Sequence, residues 1–343
     1  MNHAEVTDRD GTIGAVPSQG FVDWLALADG TVAVTTYQAG KVVLLSFDNG
    51  RLRIESCDFP KPMGLAVADQ HLALACQFDV VPLAGTFTDG RHDMVYLPHG
   101  GYVVGDRHVH DLAFGADGLW MVDTRYSCLS TIDGQGRARP RWRPGFISRL
   151  LPQDRCHLNG LAMRHGRPAF VTAHAMTDTP GGWRAVKTSS GVVISVDTAQ
   201  LVVAGLCMPH SPRYYGGRWW LLNSGRGELC TFDPVNGRYD VVCALPGFVR
   251  GLCFHGRYAL VGLSKIRSAH LFEDLPIQRR FVQLHCGIAV IDIESASNVG
   301  ICQFSDDYRE LYDVQWLGHV RRVAIYNQAQ HGLTQSQCAY VHQ

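Results

Sequence analysis

Cys156-His157-Leu158-Asn159-Gly160-Leu161-Ala162 is a polar lead-in, one small residue, then the start of an apolar run. Six other stretches share this shape: Phe21-Val22-Asp23-Trp24-Leu25, Pro62-Met63-Gly64-Leu65-Ala66, Val109-His110-Asp111-Leu112-Ala113, Pro209-His210-Ser211-Pro212-Arg213, Val249-Arg250-Gly251-Leu252-Cys253 and Leu311-Tyr312-Asp313-Val314-Gln315. They recur about every 40 to 60 residues, the period of a propeller blade. A second mark keeps the same period. Phe47-Asp48, Ile132-Asp133, Val196-Asp197, Phe232-Asp233 and Ile291-Asp292 each close a strand-like run with an Asp. Asp opens turns there because its carboxylate accepts from nearby backbone amides. Two marks with one period predict an all-β chain forming a single β-propeller. Counting lead-ins gives seven four-stranded blades. The first reads as 21–28, 31–36, 41–47 and 51–57, and no stretch before residue 260 carries a long helical period. The last, at 312–317, 321–326 and 338–342, is short. Ring closure can mix chain ends there, so six blades is the alternative.

Bulk properties bound the rest. The 343 residues are 46% hydrophobic and 18% charged, enough for a large core. Residues 1–19 read as a flexible arm and 20–343 as the propeller. Lys+Arg and Asp+Glu are 31 each, and a neutral chain gives no general case for nucleic acid or an anionic membrane. No apolar run nears the ~18 residues of a membrane span. The first 19 residues lack an apolar signal core. The 11 cysteines are scattered without a Cys-x-x-Cys pair, as expected of reduced thiols in a cytoplasm.

In a blade, the lead-in to the first strand and the turn between strands two and three lie on one face of the disc. Here those segments hold the chemically rich residues, including Gln38, His110, Asp111, His157, Asn159, His210, Arg213, Asn223, Glu228, Arg250, Lys265, Glu310, Tyr312 and Asp313. The opposite turns are plain, such as Ala28-Asp29-Gly30. One functional mouth follows. Two second-to-third turns, 173–191 and 266–286, are long and stand over that mouth as lids. A short helix is expected near 277–281.

His110 and His210 share one register, and His157 lies two residues before Asn159, which shares it too. Three imidazoles converging on the axis would suit Fe, Cu or Zn with open coordination positions. Tyr312, Asp313, Asp111 and Glu228 are the candidate catalytic and supporting groups around that metal. Arg213, Arg250 and Lys265 are candidate clamps for a carboxylate or phosphate, with Asn159, Asn223 and Gln38 as further substrate contacts. Asn159, Asn223 and Asp313 offer the alternative of a Ca²⁺ site. Plainer roles compete: a His at a strand start often bonds a backbone carbonyl, the arginines can bridge blades, and Cys128 and Cys156 suit core packing.

The strings VTTYQAGK (34–41), KPMGLAV (61–67), HDLAF (110–114), DRCHLNGLAMR (154–164), MPHSPR (208–213), LLNSGRGEL (221–229), VGLSK (261–265) and ELYDV (310–314) resemble an uncharacterised bacterial conserved-hypothetical family, classed as a domain of unknown function. The resemblance runs from about residue 30 to 326. It implies a propeller and no particular activity. Asp123-Thr124-Arg125 departs from the Asn-Thr-Leu of the pattern. Two functions are expected. One is a metal-dependent enzyme with a His-lined axial funnel, acting on a small polar or anionic substrate or a peptide. The other is a non-catalytic propeller binding a peptide or protein on the same face. A narrow His-lined mouth favours the first, and a flat surface with exposed Trp, Tyr and Arg favours the second.

Overall fold

Phe21, Trp24, Leu25 and Ala28 stand at helical spacing, and they are the buried face of an α-helix, Gln19–Ala28. The Ser18 hydroxyl accepts from the Phe21 amide at 3.4 Å, and Asp29 ends the helix in the left-handed region at φ 52°. The stretch expected as the first inner strand is therefore helical. That blade takes its inner strand from the other end of the chain: Val314–Gly318 pairs antiparallel with Gly30–Thr36, Val314 opposite Val34. The lead-ins at 21–25 and 311–315 thus serve one blade. Seven marks make six blades, which corrects the count of seven.

The computed structural model describes residues 13–86, 90–266 and 274–327, with Val6–Thr7 as backbone alone. Each of the six antiparallel sheets is one blade. Blade one is Val314–Gly318, Gly30–Thr36, Lys41–Asp48 and Arg51–Asp58, from the axis outward. Blade two is Leu65–Ala68, His71–Ala75, Asp79–Thr86 and Met94–Pro98. Blade three is Val109–Gly115, Gly118–Asp123, Cys128–Ile132 and Ala138–Trp142. Blade four is Leu158–Arg164, Arg167–Ala173, Gly191–Ser195 and Leu201–Leu206. Blade five is Pro209–Tyr215, Arg218–Asn223, Glu228–Asp233 and Arg238–Ala244. Blade six is Phe248–His255, Tyr258–Ser264, Gly287–Asp292 and Ser297–Phe304. Three of the Asp residues that close third strands work as expected: Asp133 Oδ1 accepts from the Gln135 and Arg137 amides, both at 2.9 Å, Asp233 Oδ1 from Val235 at 2.8 Å, and Asp292 Oδ1 from Glu294 at 3.0 Å.

Both chain ends cover sheet edges. Gly14–Pro17 pairs with the outer strand of blade six, with Ile13 and Ala15 fully buried. Residues 13–19 therefore belong to the folded body and not to the arm expected over 1–19. Val323–Ile325 runs parallel to Met94–Pro98 at the edge of blade two, so it builds no blade of its own. The strand expected at 338–342 lies outside the described residues. Covered edges leave fewer unpaired backbone groups for intermolecular pairing. No helix among the described residues is long and apolar enough to cross a membrane.

The small or acidic position of each lead-in explains how the ring closes. In order around the axis it holds Gly64, Asp111, Gly160, Ser211, Gly251 and Asp313. Each glycine admits the next blade. A Cβ on Gly160 would stand 3.0 Å from Ser211 N, and one on Gly251 would stand 2.8 Å from Asp313 Cα. Each Asp or Ser then bonds forward to the following blade. Asp111 Oδ2 accepts from the Leu161 amide at 3.0 Å, the Ser211 hydroxyl from Gly251 at 3.1 Å, and Asp313 Oδ2 from Leu65 at 2.9 Å. Arg213 completes the clasp by donating to Asp111 (2.8 Å), Leu161 O (3.0 Å) and Leu252 O (3.1 Å). All six inner strands thereby meet one buried polar cluster.

Candidate functional site

Above this clasp the axis opens into a cavity of about 190 Å³. Every blade contributes the start of its inner strand: Met63, His110, His157, Met208, Arg250 and Tyr312. Second-to-third turns add Tyr37 from blade one, and His174, Trp183 and Arg184 from the long loop of blade four. The lead-ins are shaped alike. Lys61, His108, His157 and Met208 all take left-handed backbone near φ 50°, at 47°, 51°, 51° and 50°. That region costs a non-glycine residue energy and is enriched at functional sites. Strand register then shifts between Val109 and Leu112, Leu158 and Gly160, His210 and Arg213, and Val249 and Leu252. Such bulges re-aim side chains at the rim of a sheet.

Four imidazoles form a continuous row across blades three, four and five. Ring centroids are 4.9 Å apart for His110 and His157, 4.4 Å for His157 and His174, and 5.1 Å for His174 and His210. Their partners fix their tautomers. His110 Nδ1 lies 2.8 Å from His108 O, and His210 Nδ1 lies 2.9 Å from Met208 O. A carbonyl only accepts, so both Nδ1 atoms carry the hydrogen and both Nε2 atoms keep a lone pair. His157 Nδ1 meets the Asp154 carboxylate at 2.8 and 3.0 Å, with the same consequence. His174 is the reverse. Asn159 Oδ1 accepts from the Thr172 hydroxyl at 2.6 Å, so its amide nitrogen donates to His174 Nδ1 at 2.9 Å. His174 therefore presents Nε2–H.

Three of the four rings are held neutral. Burial pushes His174, His210 and His110 well below the ordinary imidazole range, and the positive charge of Arg250 and protonation of neighbouring His157 push the same way. Burial opposes ionisation of Asp154, yet His157, the Trp183 indole and Arg184 outweigh it and hold its carboxyl below the usual carboxylate range. Trp183 donates to Asp154 Oδ2 at 3.0 Å and lies 4.3 Å from the His157 ring centroid. On the far wall Arg250 donates to Glu310 at 2.9 Å and its guanidinium lies 4.5 Å over the Tyr312 ring. Burial raises the Tyr312 phenol, which stays protonated. His174 Nε2, Arg250 Nε and Tyr312 Oη are buried polar atoms without a hydrogen-bond partner among the described residues. Buried polar atoms are nearly always satisfied, by protein, water or ligand.

Both long loops meet over this mouth. Ala175 and Trp183 of the first and Leu275 and Ile277 of the second share a buried apolar cluster with Cys207, Met208 and Phe248. The second loop carries the expected short helix, Ile277–Arg280. Residues 267–273 of that loop lie outside the described residues.

Residues 19–326 match the profile of a family described as a domain of unknown function, DUF4915. The chain belongs to the DUF4915 family. Among solved structures, this DUF4915 chain is similar to one described as a nidogen/laminin complex, with a TM-score of 0.55, 9% identity, and coverage of 84% of this chain and 98% of that one. It is equally similar to a protein of unknown function from Bacteroides caccae, with a TM-score of 0.55, 12% identity, and coverage of 84% and 99%. At these identities the likeness shows the propeller fold alone. No curated protein matches the chain.

Of the residues singled out by sequence in this DUF4915 chain, His110, His157, Arg250, Glu310 and Tyr312 line the cavity. The others do not. His210 stands behind His174, its Nδ1 also 2.8 Å from the Ser224 hydroxyl. Asp111, Arg213 and Asp313 form the axial clasp that bridges the blades. Asn223 and Glu228 bond each other at 2.8 Å, and Glu228 pairs with Arg280 of the second lid. Asn159 orients His174, Lys265 pairs with Asp306 at 2.6 Å, and Gln38 is exposed on its turn. Asn159, Asn223 and Asp313, the residues of the Ca²⁺ alternative, are thus each bonded to other groups of the chain. Among the described residues, no three His, Cys, Asp or Glu are grouped to hold one metal ion. His174, with a hydrogen on Nε2, separates His157 from His210. Cys128 and Cys156 are buried, and burial pushes both thiols up to about 12, which suits packing and not nucleophilic attack. Sequence reasoning missed His174, Asp154 and the buried role of Trp183. A signal existed for His174, the first residue after its blade's second strand and so the counterpart of Tyr37 in blade one.

Proposed function

We propose that this chain is an enzyme acting on a small polar molecule held in the mouth cavity, with His157 as its general acid–base group. The observation that carries this reading is the Asp154–His157 pair. A half-buried carboxylate holds Nδ1 and leaves the Nε2 lone pair beside a cavity with unpartnered polar atoms. A base oriented by a third group is the recurring arrangement of acid–base and nucleophilic catalysis. The enclosing Trp183 lid keeps water from competing for the same hydrogen bonds. The partner-binding alternative has less support, because Phe78 is the only exposed aromatic among the described residues and protein-binding surfaces rely on exposed aromatic anchors.

A metal-dependent form of this reading rests on the same atoms. His110 and His157 each give Nδ1–H to an oxygen, as metal-ligating histidines do, which leaves two neutral Nε2 donors. Metal analysis of protein purified without added metal or chelator separates the two forms. One equivalent of Fe, Cu or Zn, lost in a His110→Ala variant, supports the metal. A metal-free protein that still turns over supports acid–base chemistry alone.

The test of the enzyme reading is conversion of a metabolite extract followed by mass spectrometry, wild type against His157→Asn. We expect at least one compound consumed by the wild type alone. An extract left unchanged by the wild type, beside a compound retained by both proteins, would overturn catalysis in favour of binding.

A further inference from the structure

We propose that the ligand of the mouth cavity is a small hydroxy acid. Its carboxylate is taken by Arg250 and Tyr312, and its hydroxyl sits between His174 and His157. This deepens the enzyme reading and rests on it for the role of His157.

Four observations support it. First, three of the lining residues, His174, Arg250 and Tyr312, present buried donors without a partner among the described residues. Arg250 Nε–H and His174 Nε2–H can only donate, and Tyr312 Oη carries a hydrogen. A set of donors lacking partners calls for an acceptor-rich group, and an oxyanion is the strongest acceptor for a guanidinium. Second, Arg250 spends Nη1 on Glu310, which holds the guanidinium in place over Tyr312. The remaining edge of that fork is the one that lacks a partner. Third, His174 and His157 stack at 4.4 Å in opposite tautomers, so a donor and an acceptor stand side by side. A hydroxyl satisfies both, accepting from His174 Nε2–H and donating to His157 Nε2. Fourth, about 190 Å³ is small, below the ~300–1,000 Å³ of sites that take drug-sized ligands. The cavity suits a compound of a few carbons and excludes a nucleotide or a folded peptide segment.

The experiment is calorimetric titration of the full chain with glycolate, acetate, ethylene glycol and inorganic phosphate. We expect glycolate to bind with a Kd about tenfold or more below that of acetate, the gain of one well-placed hydroxyl, and ethylene glycol and phosphate to bind more weakly than acetate. Tyr312→Phe removes an oxygen that no other described residue holds. It should leave the thermal midpoint unchanged or raised and weaken glycolate by roughly tenfold, the effect of one hydrogen bond to a charged group. Arg250→Lys keeps the charge, loses the fork, and should weaken glycolate and acetate alike. It serves as the second variant should Tyr312→Phe fail to fold. Acetate binding as tightly as glycolate overturns the hydroxyl. Phosphate binding tightest overturns the carboxylate. Unchanged glycolate affinity in both variants overturns the placement. The two readings fail separately. No binding of any probe, beside His157-dependent conversion of a compound without a carboxylate, overturns the hydroxy acid alone. Tight glycolate binding with no conversion of any extract overturns the enzyme alone.

Discussion

His174 and His210 are 0% and 2% exposed, and both are kept neutral by burial. The sign of the resulting pH dependence follows directly. In the unfolded chain an imidazole titrates near its ordinary value of 6.5. As pH falls through that value, the unfolded chain binds protons that the folded one refuses. Stability is therefore fully present above about pH 6.5 and falls below it, by up to ~1.4 kcal/mol per pH unit for each such group. Urea unfolding between pH 8 and pH 5 should show a flat region and then a decline, and His210→Gln should make the decline shallower. A midpoint independent of pH would contradict neutral, buried His174 and His210. At this scale the sequence made five lining residues legible, His110, His157, Arg250, Glu310 and Tyr312, because they stand at blade lead-ins. It hid Asp154, which follows no repeat, and His174, whose counterpart in blade one, Tyr37, stands at a turn rather than at a lead-in, so that the value of both comes from whom they touch.

Trp183 joins a lid to the chemistry. Its ring packs on His157 and His174, and its N–H reaches Asp154. Trp183→Phe keeps most of the buried area and removes that one donor to a carboxylate. It should cost roughly 1.5–3 kcal/mol, read as faster hydrogen exchange over 174–190 with the blade cores unchanged. Equal exchange in both proteins would show that the indole N–H holds nothing. The position of both long loops was legible from strand spacing. Their joint apolar cluster was not, because Ala175, Trp183, Leu275 and Ile277 follow no period. The helix Gln19–Ala28 had the opposite problem. Its i, i+3, i+4, i+7 pattern is present, but it is ten residues long and contains a strand-like echo of the blade lead-in.

The whole ring depends on one cation between two carboxylates. Burial, together with the charge of Asp111, raises Asp313, and Arg213 opposes both. Arg213→Leu removes the cation and the bonds to Leu161 O and Leu252 O, leaving two buried acids facing each other. Breaking such a pair costs roughly 3–5 kcal/mol, which urea unfolding at pH 7 measures. A loss under about 1 kcal/mol would contradict the clasp. The propeller was legible from its period alone, since every blade must repeat the same inner-strand chemistry. The number of blades was not. Closure pairs residues 314 and 34, and no local pattern states that two lead-ins at opposite ends of the chain serve one sheet.

The claim that the mouth presents a donor beside an oriented base is tested most directly by long-range ¹H–¹⁵N spectra of the imidazoles in ¹⁵N-histidine-labelled protein at pH 7. The account predicts Nδ1–H tautomers for His110, His157 and His210, and the Nε2–H tautomer for His174 alone. An Nδ1–H tautomer at His174, or an Nε2–H tautomer at His157, would contradict it.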